Sequence, residues 1–155
     1  MSTLRPWHAQ LLLAVGLGLS FAVPYLAASA LAAQRDRQWA QSGLSAHEID
    51  EWRRHGFGEV LEAIEWRNAR FQAPGASLWK AEGWGDGAEA AGWRDADFGA
   101  AEATRWRGEG FAAREAQSWA AVGFLPQDAR RLEDAGVSPS DAAAGRKAET
   151  PGGQR

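Results

Sequence analysis

Few residues of this chain have types and spacing suited to chemistry. His47, Glu51 and His55 stand four apart. On a helix they share a face, the spacing with which helices offer nitrogen and oxygen ligands to a metal. No further ligand completes the set, and no other stretch repeats it, so the three read as polar surface residues. Gly83-Trp84-Gly85-Asp86-Gly87 is glycine-rich, but a phosphate cradle follows a strand and carries Lys-Ser/Thr into a helix. Here no strand pattern precedes the glycines and Lys80 lies upstream, so the stretch reads as a flexible joint. Asp50/Glu51 and Glu133/Asp134 are adjacent carboxylates, yet nothing in the sequence places either pair around a cleft. Cysteine is absent, which excludes disulfides, thiolate metal sites and thiol nucleophiles. No Ser-His-Asp set can be assembled from three histidines, two of which share one stretch. The expectation is a protein that is not an enzyme and holds no cofactor and no metal.

What the sequence does carry is a ladder. Trp39, Trp52, Trp66, Trp79, Trp93, Trp106 and Trp119 follow at intervals of 13, 14, 13, 14, 13 and 13 residues, and Leu132 continues the series. A phrase close to Gly-Phe-x-x-x-Glu-Ala-x-x-Trp recurs around each rung. A fixed period is first a statement about architecture. Hydrophobic residues are 45% of the chain, but alanine dominates that share. The nine Trp must therefore supply much of the apolar area, and the ladder is assigned to the structural core.

The elements that position the rungs are legible locally. Ser45 and Glu48 form the S-x-x-E pattern of a helix start. Ser138-Pro139-Ser140-Asp141 repeats the signature with Pro at the first helical position, and Pro126 stands likewise after Phe124 and Leu125. Glycine recurs four residues after the rung at 43, 56, 83, 110, 123 and 136, each time followed by an apolar residue. That is where a left-handed cap belongs. Alanine stands three before six rungs, as Ala63, Ala76, Ala90, Ala103, Ala116 and Ala129. Glu48, Glu62, Glu89, Glu102, Glu115 and Asp128 fall in first turns, and Arg53, Arg67, Lys80, Arg94 and Arg107 follow the Trp. This order complements the helix dipole, and the charges read as a solvated face. Strand alternation is nearly absent. The fold class expected is all-α: short helices of about ten residues, one per rung, stacked like a solenoid because helices so short are marginal alone. Arg70 and Asp97 take the glycine position after Trp66 and Trp93. They lie 27 residues apart, which points to helix pairs as the larger unit.

Residues 1–33 precede the repeats. Ala9 to Ala33 carries no charge, long enough for a bilayer span. Two readings stand. Ala30-Leu31-Ala32 fits a signal-peptide cleavage rule; Trp7, Arg35 and Arg37 flank an uncleaved transmembrane helix equally well. Either places the rest of the chain on the exported, periplasmic or extracellular side of the cell envelope, secreted or anchored through residues 9–33. Residues 34–38 read as a polar hinge, 39–144 as the repeat domain and 145–155 as a disordered tail. Beyond residue 33 the formal charge is 16 − 20 = −4 with no basic stripe, so nucleic acid is not an expected partner.

Three functions follow in order. The first is an envelope-located interaction or scaffolding module with a protein partner. The second is a carbohydrate- or cell-wall-binding module that uses exposed Trp. The third is a small accessory subunit of a membrane complex. Trp84, which stands where other repeats have Phe, and the departures Arg70 and Asp97 are the candidate interaction residues.

Overall fold

The computed structural model describes residues 27–149. The apolar stretch up to residue 26, Trp7, and the tail from residue 150 lie outside the described residues. Among the described residues the chain is all-helical, without a strand, and no helix is long and apolar enough to cross a membrane. A first helix, α1, occupies residues 27–40. Eight short helices follow: α2 (Ala46–Arg54), α3 (Val60–Asn68), α4 (Ala73–Ala81), α5 (Gly87–Arg94), α6 (Ala100–Gly108), α7 (Ala113–Ala121), α8 (Pro126–Asp134) and α9 (Pro139–Glu149).

One local device explains why the phrase around each Trp is conserved from repeat to repeat. In α6 the chain leaves the helix at Glu109, and Gly110 adopts φ 87°. The Phe111 amide then donates to the Trp106 carbonyl at 3.2 Å and the Gly110 amide to the Arg107 carbonyl at 2.9 Å. This is the Schellman closure, which needs a left-handed residue and brings the side chain after it onto the last turn. The Trp106 and Phe111 rings meet edge to face at 5.2 Å. The same ring pair closes α2 (Trp52–Phe57), α3 (Trp66–Phe71), α4 (Trp79–Trp84), α5 (Trp93–Phe98) and α7 (Trp119–Phe124). Each such pair contributes about 0.5–1.5 kcal/mol beyond its buried area. Leu132 and Val137 make the aliphatic version, with the Val137 amide on the Leu132 carbonyl at 2.9 Å. Helix starts agree with the sequence. Ser45 and Glu48 form a reciprocal capping box, Ser138 accepts from the Asp141 amide at 3.2 Å, and Pro126 and Pro139 open α8 and α9.

The chain divides by contact into two compact units that meet in sequence between Val60 and Leu61. In the first, Trp39, Leu44, Trp52 and Phe57 are buried. The Trp39 indole donates to the Gly58 carbonyl at 3.4 Å. Arg53 lies 5.3 Å from the Trp39 ring and pairs with Asp36 at 2.6 Å. Residues 34–38 therefore do not form the expected hinge. They are interior to α1, a stretch without Gly or Pro, and Asp36 is held onto α2 through Arg53. Residues 27–38 of α1 are exposed, and Trp39 is the residue that buries it.

In the second unit the rings continue from one helix to the next. Phe71 meets Trp79 at 5.9 Å, Trp84 meets Trp93 at 5.9 Å, and Phe98 meets Trp106 at 6.2 Å. Ala63, Ala76, Ala90, Ala103, Ala116 and Ala129 are wholly buried, so the small residue on each inner face lets a neighbour approach. Helices touch both their immediate neighbours (α5 and α6, α6 and α7, α7 and α8) and the next but one (α4 and α6, α5 and α7). α9 runs to Glu149, five residues into the stretch expected to be tail. Arg146 fixes it, because its guanidinium donates to the Val122 and Gly123 carbonyls at 3.2 and 3.4 Å and lies 3.7 Å from the Phe124 ring.

Candidate interaction surface

The residues expected to do something other than pack have definite places. Trp84 is not exposed. It follows the C-terminal glycine of α4, is 1% accessible, and its indole donates to the Thr104 hydroxyl at 2.8 Å. Arg107 covers its ring at 3.7 Å. A larger aromatic at the Phe position goes further into the core, since the closure aims that side chain inward. Every Trp among the described residues is buried in the same way, which leaves no open indole there for a sugar to stack on.

Arg70 and Asp97 are exposed and occupy the left-handed C-terminal position of α3 and α5, at φ 63° and 66°. Their first role is therefore local: each stands where the other helices have glycine. The structure does not bring them together with Trp84 in one site.

The remaining chemistry-bearing groups are tied into their own helices. Arg54 pairs with both Asp50 and Glu51, and the hydrogen bond to Glu51 is the leading cause holding its guanidinium above its ordinary pKa. Arg130 bonds Glu133 at 3.1 Å and Asp134 at 2.5 Å, and the Asp134 bond raises it likewise. His55 lies 3.7 Å from Glu51. No group of three ligands suited to a metal occurs among the described residues. In the glycine-rich stretch Asp86 caps α5 by accepting from the Ala88 and Glu89 amides at 2.7 and 3.1 Å. Gly87 sits against Trp66, where an added Cβ would meet its Cα at 3.0 Å. The joint is packed rather than slack.

Sequence reasoning read the basic residues after the rungs as a solvated face. Arg94 and Arg107 instead reach back two helices. Arg94 donates to the Ala69 and Arg70 carbonyls at 3.0 and 3.2 Å and lies 4.4 Å from the Phe71 ring. Arg146 repeats this on α7. A guanidinium at a helix C-terminus takes orphan carbonyls, complements the dipole and covers an aromatic at once. The fixed place of Arg one residue after the rung is the sequence signal for this clasp.

The surface feature not anticipated lies between α6 and the start of α8. An open groove of about 550 Å3 runs there, lined among others by Glu102, Arg105, Trp106, Glu109, Phe124, Leu125 and Asp128. Phe124 is half-buried and Leu125 is 70% exposed. Leu125 is also the N-cap residue of α8, and it gives that helix no side-chain cap. A Ser, Thr or Asp there would stabilise the helix by about 1 kcal/mol, so an exposed leucine is unfavourable both locally and toward solvent. Its position before Pro126 is visible in the sequence, and a poor cap at a marked helix start was the signal available.

Compared with protein families, curated proteins and solved structures, the chain matches none.

Proposed function

We propose that this chain is a non-enzymatic interaction or scaffolding module of the cell envelope. On this reading the helices stack as a solenoid-like array with two helices in each 27-residue unit, presented on the exported side and held to the membrane or released from it through residues 9–33. The observation that carries the reading is the burial of the whole described ladder. Aromatic residues that a binding row would need exposed are used to join short helices, and what remains outside in each unit is a charged surface with isolated leucines, at 31 in the first and at 61, 78 and 125 in the second. Arrays of this kind bury little per repeat and expose much, which suits protein partners.

Support for the pairing comes from the clasps. Arg94 and Arg146 each reach a helix two earlier, and Arg70 and Asp97 share one backbone conformation 27 residues apart. The exposed residues 27–38 of α1 favour a related reading, in which the module is an accessory subunit of a membrane complex and α1 runs along another chain. The carbohydrate reading required open Trp faces and loses its platform among the described residues.

The test is cross-linking in intact cells with a C-terminal epitope, joined to protease accessibility. The expected result is a discrete complex above monomer mass, with an epitope cut once the envelope is opened but the cytoplasm is sealed. An epitope cut only after lysis, or a chain that stays monomeric, would refute the proposal.

A further inference from the structure

Two helix ends carry an arginine clasp, and the end of α6, which borders the groove at Glu109, does not. α5 supplies Arg94 to the end of α3, and α9 supplies Arg146 to the end of α7. In α8 the residue at that register, one after rung Leu132, is Glu133. Arg130 approaches Phe111 to 5.5 Å and also feels the charge of Glu109, but its hydrogen bonds and ion pairs go to Glu133 and Asp134 of its own helix. Among the described residues no side-chain donor reaches the Glu109 or Gly110 carbonyls that end α6, while the Gly110 and Phe111 amides are used in the closure. Three carboxylates, Glu102, Glu109 and Asp128, line the groove against one cation, Arg105. Asp128 is shared with Arg131. The floor carries half-buried Phe124 and the exposed, uncapping Leu125.

We infer that this groove is a docking site for a short segment of a partner protein that carries arginine beside an aliphatic side chain. The assignment rests on the interaction-module reading and narrows it to one surface and one chemistry. Charge complementarity selects a cation. The two filled clasps select guanidinium over ammonium, because in each one Nη1 donates to two adjacent carbonyls while the planar face of the group covers a ring, which a compact ammonium lacks. An arginine from outside takes the α6 end as Arg94 takes the α3 end, and the neighbouring aliphatic side chain covers Leu125 and Phe124. The groove lacks this ligand from its own chain because α8 has an acid where α5 and α9 have arginine.

The experiment uses the full chain in nanodiscs of neutral phosphatidylcholine, with empty discs subtracted. Its probe is a fluorescein-labelled Gly-Arg-Leu-Arg-Gly peptide read by anisotropy. Comparators replace both Arg by Glu, both Arg by Lys, or Leu by Ser. The Arg/Leu peptide is expected to bind saturably, the Lys/Leu peptide at least fivefold more weakly, and the other two not measurably. Glu109→Gln and Leu125→Ser should each weaken the Arg/Leu peptide at least fivefold, with helicity kept and the melting temperature not lowered, while Glu109→Asp retains binding. No binding by the Arg/Leu peptide, or equal binding by the Glu/Leu peptide, overturns the assignment. So does a self-association of the disc-bound chain that Leu125→Ser abolishes, since the occupant is then a second copy. Binding that both variants leave unchanged also overturns the groove, but it locates peptide elsewhere on the array and leaves the module reading intact. That reading fails separately, in the cross-linking experiment.

Discussion

Arg70 and Asp97 offer a paired test of how the repeats are closed. Both hold the left-handed position that six glycines hold in the other helices, at φ 63° and 66° against 75° to 87° for the glycines. Both are exposed, and the closure uses their backbones alone. Replacement by glycine relieves a left-handed cost of about 1–2 kcal/mol and adds about 0.5–1 kcal/mol of unfolded-state entropy loss. These terms are common to the two sites and together leave a net gain of about 0.5 kcal/mol. The charges differ. Asp97 puts a negative charge at the negative end of α5, and its removal gains about 0.5 kcal/mol; Arg70 puts a positive charge at the end of α3, and its removal loses about the same. Asp97→Gly should therefore stabilise the chain by about 1 kcal/mol, while Arg70→Gly should be close to neutral. For a chain of this size that separates the two melting temperatures by about 4 °C. Thermal unfolding of the full chain in one detergent, followed by circular dichroism at 222 nm, measures it. The separation should shrink in high salt, as a surface dipole effect does. Equal shifts, or a larger gain for Arg70→Gly, would refute the account of these two positions.

Two further outcomes test the packing. Gly87→Ala adds a methyl 3.0 Å from the Trp66 Cα, where backbone must give way, and should destabilise by about 1–3 kcal/mol in the same melt. Thr104→Val removes the acceptor of the buried Trp84 indole at constant shape, and should cost about 1–3 kcal/mol because a donor is left without a partner. Thr104→Ser, which keeps the hydroxyl, should cost less.

Much of the local architecture was legible because the closure is written in adjacent residues. Trp, then Gly four on, then an aromatic, is a Schellman end with its hydrophobic contact, and Ser45-x-x-Glu48 is a start. The wholly buried alanines followed from the same spacing. What was not legible depends on side chains reaching from one helix to another. Arg94 looks like a dipole-matched surface charge, and Arg146 like part of a tail, until the carbonyls two helices earlier are placed beside them. Trp84 looked exposed because its repeat departs from Phe, but its position in the closure, not its size, sets its direction. Residues 34–38 looked like a hinge because they are polar, yet an Ala-rich helix runs through them without a breaker. Residues 145–149 looked like tail because they lack a rung, and Arg146 supplies the anchor that a rung would have given. The groove beside α6 was hidden for the opposite reason: its exposed leucine at a cap position is not a motif.

The central claim is that the tryptophans are joints rather than a binding row. Acrylamide quenching of intrinsic fluorescence in a Trp7→Phe chain reads only the eight indoles described here as buried. The account predicts a blue-shifted emission and a single low quenching constant, unchanged by soluble cell-wall sugars. Red-shifted emission with most indoles quenched as readily as free tryptophan, or protection that appears only when sugar is added, would contradict it.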